Sequence, residues 1–195
     1  MTIGIVEMKE KYKYIKNLLS SDVAEFISFS SLKMIDKIEP GDSQVSLAFS
    51  MHSSYILMYR HLLYFLKNRI ETESNLKLNP TYAYSRLYIS GSKLDPHTDR
   101  AACEISVSLT LKQKYHNKDY QWPLYMGETP LFIKEGDGVL YKGMEIEHGR
   151  PIFQEPDGSW HHQVFLHYVN AEGPYKNLKE EIDQESTEFN KKLQK

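Results

Sequence analysis

Three residues in this sequence have the types and spacing of a metal-binding set. His97 and Asp99 stand two apart in Pro96-His97-Thr98-Asp99-Arg100, and His148 follows about fifty residues later. On an extended strand, residues two apart project to the same face. The imidazole and the carboxylate can therefore reach one ion together, and a second imidazole from a later strand can close the third corner. Two imidazoles and one carboxylate on one side of a metal leave its other side open, which is the donor set of a mononuclear non-haem Fe(II) centre. H-x-D alone arises by chance, and either histidine taken singly reads as an ordinary turn or core histidine. Their setting decides between the two.

The chain has 195 residues, which favours one domain large enough to bury a core. With 24 basic and 26 acidic residues the net charge is −2, so no surface for nucleic-acid phosphates is expected. The single cysteine, Cys103, excludes an internal disulfide framework and fits a reducing compartment. No run approaches the ~18–20 apolar residues of a membrane span. Residues Met1 to Glu10 show neither a basic start nor an apolar stretch of signal-peptide type. The expectation is a soluble, cytoplasmic protein without nucleic-acid or membrane partners.

The elements that must position the three residues follow in order. Tyr12 to Lys16 alternates like a strand. Asp22 and Glu25 have capping-box spacing at the start of a helix whose buried stripe would be Val23, Phe26 and Ile27. Pro40-Gly41-Asp42 breaks the chain, and Gln44 to Phe49 reads as a short strand. Tyr55, Met58, Tyr59, Leu62, Phe65, Leu66 and Ile70 recur at helical spacing and predict a second helix packed on a sheet. After Pro80, the stretch Thr81 to Ile89 alternates with period two, putting Tyr82, Tyr84, Arg86 and Tyr88 on one face. That face suits a half-buried sheet as well as a substrate pocket.

Ser90-Gly91-Ser92 is a turn, and the H-x-D follows it. Strands are then expected over Glu104 to Leu111, Trp122 to Met126, Pro130 to Ile133, Val139 to Tyr141, Ile146 to His148 and Trp160 to Val169. The last of these places His161, Gln163, Phe165 and His167 on one face. Gly136-Asp137-Gly138 is a tight turn; no phosphate-loop lysine follows it. Many short strands between Gly and Pro turns, behind two helices, predict a mainly β sandwich or barrel with helical cover. Residues 177–195 are highly charged and read as an exposed helix or tail.

These pieces together resemble the 2-oxoglutarate/Fe(II)-dependent oxygenases, on the prolyl-hydroxylase-like side. The matching stretches are Pro80–Tyr88, Gly91, His97–Arg100, Cys103–Ser106, Trp122-Pro123, Gly136–Gly143, His148–Arg150 and Gln163–Tyr168, with the lead-in Tyr14–Asp22. The resemblance implies a double-stranded β-helix (jelly-roll, cupin-like) core over about 80–170. N-terminal α-helices over about 18–75 would pack on the sheet, and a charged segment, 171–195, would follow the single domain 1–170. It implies that His97, Asp99 and His148 hold Fe(II), and that 2-oxoglutarate and O2 are co-substrates, with ascorbate as a stimulant. The implied reaction hydroxylates a C–H bond while 2-oxoglutarate becomes succinate and CO2.

The distal carboxylate of 2-oxoglutarate needs a cation, which a guanidinium supplies bidentately. Relatives place an Arg or Lys roughly ten residues after the distal histidine, at the start of the last strand; this chain has Asp157 to His162 there. The candidates are Arg150, then His161, then Arg86, with Gln163 and Tyr88 assisting. Tyr84, Arg86 and Arg100 are candidates for contact with a substrate, which would be a prolyl or other amino-acid residue in a peptide, or a small metabolite. His161, His162 and His167 read otherwise as packing residues, and Cys103 as a small buried one. The polar loop from Gln113 to Gln121 is the candidate lid. The rival readings are a cupin-like metal-binding module without oxygenase activity and a catalytically silent interaction protein on the same scaffold.

Overall fold

The computed structural model describes residues 10–34, 44–45, 47–52 and 57–179. The strands are β1 Tyr12–Ile15, β2 Ala48–His52, β3 Leu78–Ile89, β4 Leu94–His97, β5 Ile105–Lys114, β6 Leu124–Met126, β7 Thr129–Leu131, β8 Gly138–Lys142, β9 His148–Arg150 and β10 Trp160–Asn170. The helices are α1 Ser21–Leu32 and α2 Leu57–Ser74. A larger sheet runs β1-β8-β5-β10-β3-β2 and a smaller one β4-β9-β6-β7, with antiparallel pairing throughout. The mainly β, two-sheet prediction is what the chain forms.

The larger sheet is buried on both faces, and its period-two sequence divides the labour. Val107, Leu109 and Leu111 of β5, Val164, Leu166 and Tyr168 of β10, and Ala83 and Leu87 of β3 join Ile27, Leu62, Leu63, Leu66 and Ile70 of the two helices in one core. The alternate residues are Ser106, Ser108 and Thr110 of β5, and Gln163, Phe165 and His167 of β10. With Tyr84, Arg86 and Tyr88 of β3 they form the other face, turned toward the smaller sheet. The apolar face thus makes the structural core, and the polar face lines the space between the sheets. This alternation follows directly from strand geometry.

The helical face carries one polar cluster. His162 Nδ1 lies 2.8 Å from Ser28 Oγ of α1, and its Nε2 lies 3.1 Å from Ser85 Oγ. Ser85 Oγ is in turn 2.7 Å from the Tyr59 hydroxyl of α2. One buried imidazole therefore ties both helices to the sheet, and burial pushes its pKa down to about 3.

Several local expectations change. Ser20, not Asp22, caps α1: its side chain accepts from the Val23 N–H. The buried face of α1 is Ala24, Ile27, Ser28 and Ser31, whereas Val23 and Phe26 are exposed. In α2, Phe65 is exposed and Leu63 takes the buried place; Tyr55 lies outside the described residues. The second strand begins at Ala48 rather than Gln44. In each case a short amphipathic pattern allows neighbouring faces, and the sheet beneath selects one.

Asp137 explains the Gly136-Asp137-Gly138 turn. Its carboxylate accepts the Asn17 N–H at 2.8 Å and the Tyr14 hydroxyl at 2.7 Å, stapling β1 and the entry of α1 to β8. Gly136 has φ +81°, and a Cβ there would lie 2.4 Å from the Leu19 carbonyl oxygen, so glycine is required on both counts.

The loop 113–121 is built as a floor. Glu155, buried, accepts the backbone N–H groups of His116 at 2.5 Å and Asn117 at 3.1 Å. The Tyr115 hydroxyl lies 2.7 Å from His161 Nδ1, and the Tyr120 hydroxyl accepts from Gln154 N. Strand β5 starts beside Asp99, at Ser106, and ends at this loop. The loop therefore lies at the end of the barrel away from the H-x-D, where it does not cover the metal-type cluster as the lid expectation requires. The charged segment is described only to residue 179, where a short 3-10 turn spans Lys176–Lys179.

Candidate metal centre

Strand pairing brings the two distant histidines together. His97 of β4 is the register partner of His148 of β9, and the ring centroids are 4.4 Å apart. Asp99 lies just beyond β4, not on it, and a different device places it: its N–H donates to the Gly143 carbonyl at 2.9 Å. Asp99 Oδ1 lies 3.8 Å from His97 Nε2 and 3.6 Å from His148 Nε2. The three residues offer ligand atoms all within 4.8 Å of one another.

The ring nitrogens of the two histidines have distinct surroundings. His97 Nδ1 is 2.9 Å from the Asp95 carbonyl and His148 Nδ1 is 3.1 Å from the Ile146 carbonyl. A carbonyl only accepts, so each Nδ1 carries the proton and each Nε2 faces the centre as a free lone pair. Burial, the largest cause, also pushes the His148 pKa below its ordinary value. The ligand side chains grade from 22% exposed at His97 to 5% at His148, so the centre opens to solvent on the His97 side.

Gly143 is the residue that sequence reasoning missed here. A Cβ at this position would sit 2.4 Å from Asp99 Oδ2 and 2.3 Å from the Cys103 carbonyl oxygen. The signal was present as a glycine following β8, but only the close approach gives it meaning.

Two residues beyond His148 on the same face of β9 stands Arg150, 3% exposed. Its Nη1 donates to the Trp122 carbonyl at 3.0 Å and its Nη2 donates to Gln163 Oε1. The guanidinium lies 4.5 Å from the Trp122 ring and 5.8 Å from the Tyr88 ring. Among the described residues, no carboxylate pairs with it. An unpaired buried charge is costly, and burial pulls the Arg150 pKa below its ordinary value. Around it, Gln163 also donates to Ser108 Oγ. Thr110 Oγ1, opposite Gln163 in the β5–β10 register, is buried with no hydrogen-bond partner, as is His161 Nε2. The buried guanidinium and these two unpartnered polar atoms are the remaining polar groups of this interior.

The remaining candidates sit along the same interior. Arg86 is buried, donates to Gln44 Oε1 at 2.7 Å, and lies 5.3 Å from the Tyr84 ring and 5.5 Å from the Phe165 ring. Arg100 is exposed and lies 4.8 Å from the ring of Tyr82. His161 neighbours Tyr88 and Trp122 at 6.4 and 5.5 Å.

Two facing antiparallel sheets with a His-Asp-His cluster at one end define a double-stranded β-helix with a metal-type centre. The solved structures this chain resembles are 2-oxoglutarate-dependent oxygenases, and it shares their fold. HygX from Streptomyces hygroscopicus, with nickel and 2-oxoglutarate bound, matches with TM-score 0.60 and 13% identity over 83% of this chain and 84% of its own. A Pseudomonas putida prolyl-4-hydroxylase matches with TM-score 0.61 and 13% identity over 83% and 94%. SnoK, a non-haem α-ketoglutarate-dependent carbocyclase of nogalamycin biosynthesis, matches with TM-score 0.65 and 10% identity over 83% and 80%. No protein-family model and no curated protein sequence matches the chain.

Proposed function

We propose that this protein is an Fe(II)- and 2-oxoglutarate-dependent dioxygenase that hydroxylates a C–H bond. The observation that carries the reading is the pairing of an open-faced His97–Asp99–His148 cluster with a buried, acid-free Arg150 on the same strand face as His148. Residues two apart on a strand are separated by about 6.6 Å, a span suited to a five-carbon dicarboxylate with one end at the metal and the other at the guanidinium.

In this reading His97, Asp99 and His148 hold iron and keep three positions on one side free. Iron with 2-oxoglutarate and O2 supplies the oxidising chemistry, with 2-oxoglutarate becoming succinate and CO2. Arg150 binds the distal carboxylate, and Gln163 orients the guanidinium from behind. Tyr88 packs against it, and His161 and Thr110 supply polar atoms around the anion. Loop 113–121, held by Glu155, packs at that end of the barrel. Tyr84, Arg86 and Arg100 border the approach to the metal, where a small metabolite or an amino-acid residue of a peptide would present its carbon. Ascorbate would act as a reductant that sustains turnover, and the protein would work in the cytoplasm.

Succinate release with Fe(II), ascorbate and 2-oxoglutarate tests this. Turnover without added substrate, lost in Asp99→Ala, is the expected result. A protein that binds metal yet neither binds 2-oxoglutarate nor releases succinate would be a cupin-like metal module instead.

A further inference from the structure

Asp99 has two carboxylate oxygens, and they face different surroundings. Oδ1 looks toward His97 and His148. Oδ2 accepts from Ser106 Oγ at 3.2 Å, on the side of Cys103 and His167. On that second side Cys103 Sγ, a ring nitrogen of His167 and a carboxylate oxygen of Asp99 all lie within 4.8 Å of one another. We infer that this is a second metal position, backed against the first and sharing Asp99, which takes a thiophilic divalent ion such as Zn2+.

The state of His167 supports the assignment. The ring is 2% exposed, and its Nδ1 lies 2.8 Å from Ser106 Oγ. The same hydroxyl is within reach of Asp99 Oδ2 and, at 3.0 Å, of the Cys103 carbonyl. Both of those only accept, so with the Ser106 proton given to one of them the hydroxyl oxygen takes the Nδ1–H of His167. His167 Nε2 is then a bare lone pair, and it is buried with no hydrogen-bond partner. A buried acceptor of this kind calls for a donor or a cation.

The sulfur is prepared as well. Cys103 is 3% exposed, and the Tyr82 hydroxyl lies 2.9 Å from its Sγ, positioned to donate to a thiolate. The Tyr82 ring lies 4.6 Å from that of His167 and 4.8 Å from the guanidinium of Arg100. One thiolate, one imidazole and one carboxylate form a set that zinc accepts, with water or the Tyr82 hydroxyl as fourth ligand. Binding releases one proton, from the Cys103 thiol. A carboxylate serving two ions through separate oxygens is the arrangement of paired-metal sites about 3.5–4 Å apart. The second position needs neither 2-oxoglutarate nor the two triad histidines, so it stands or falls separately from the oxygenase reading.

The test is a Co2+ and Zn2+ titration of the full chain under anaerobic, thiol-free reducing conditions. Cys103 is the only cysteine, so thiolate-to-cobalt charge-transfer absorption reports this site alone. Wild type should show that absorption and bind two Zn2+ per chain. Cys103→Ser should lose the absorption and bind one. His167→Gln should weaken the absorbing site about tenfold or more, and the double variant His97→Ala/His148→Ala should retain the absorption. Wild type without the absorption overturns the proposal, whatever the variants do. Loss of the absorption in the double variant also overturns it, because the sulfur would then belong to the triad's ion.

Discussion

Replacing Gly143 by alanine should weaken metal binding although no ligand is replaced. The added Cβ would lie 2.4 Å from Asp99 Oδ2, 2.9 Å from Asp99 Cβ and 2.3 Å from the Cys103 carbonyl, whereas real Cβ atoms essentially never come within 3.0 Å. The carboxylate must therefore retreat by at least 3.0 − 2.4 = 0.6 Å, and the Cys103 carbonyl by 3.0 − 2.3 = 0.7 Å. Metal–ligand distances tolerate only about 0.2 Å, so Asp99 Oδ1 cannot hold its place against His97 and His148. The Asp99 N–H to Gly143 carbonyl bond ties the two backbones together, so moving them apart would cost that bond. Perturbing such a support costs about 10–100-fold in metal affinity, or about 1.4–2.7 kcal/mol. Overpacking should add about 1–3 kcal/mol of lost stability. The assay is calorimetric titration with Mn2+, with Asp99→Ala as the reference for complete loss of the carboxylate. Wild-type Mn2+ affinity in Gly143→Ala would refute the claim that this contact positions Asp99.

Arg150→Met should raise the Kd for 2-oxoglutarate by about 2–5 kcal/mol of lost binding, read from the visible absorption of the Fe(II) complex. Metal affinity should be unchanged, and the ligand-free protein should be no less stable, because a buried unpaired charge has been removed. The pH dependence of stability should carry a His162 contribution. Its pKa falls from 6.5 to about 3 on folding, so the unfolded chain binds a proton between those values that the folded chain refuses. The contribution is complete above pH 6.5 and declines as pH falls toward 3, by about 2 kcal/mol between pH 7 and 5. Urea unfolding of wild type and His162→Gln at both pH values should show a shallower pH slope in the variant; equal slopes would remove His162 as the cause. Glu155→Ala strands the N–H groups of His116 and Asn117, and hydrogen exchange at those two amides should accelerate while Mn2+ binding stays intact.

Much of the site was legible because its geometry is local. Arg150 shares a strand face with His148 by strand alternation, and His97 and Asp99 stand two apart, although Asp99 lies beyond β4 and is held by the Gly143 carbonyl. The alternation in β3 and β10 marked out Tyr84, Arg86, Tyr88, His161, Gln163 and His167. What was illegible depended on partners far along the chain. Phe26 and Phe65 fit a helical stripe as well as Ile27 and Leu63 do, and only the sheet beneath distinguishes them. Asp22 and Glu25 have capping-box spacing, yet Ser20, two residues earlier, makes the capping bond to Val23 N. The loop 113–121 looks like a lid by composition, yet the direction of β5 carries it to the far end of the barrel.

By itself, then, the order of residues determined which side chains have chemistry to offer and which of them share a face, since strand and helix periods are properties of the backbone. The tertiary structure alone decided that His97 registers with His148, that Gly143 leaves room for the Asp99 carboxylate, and that Thr110 Oγ1 and His161 Nε2 are buried without hydrogen-bond partners. Those relations join residues whose separation along the chain says nothing about their distance in space; strand pairing and close packing set them.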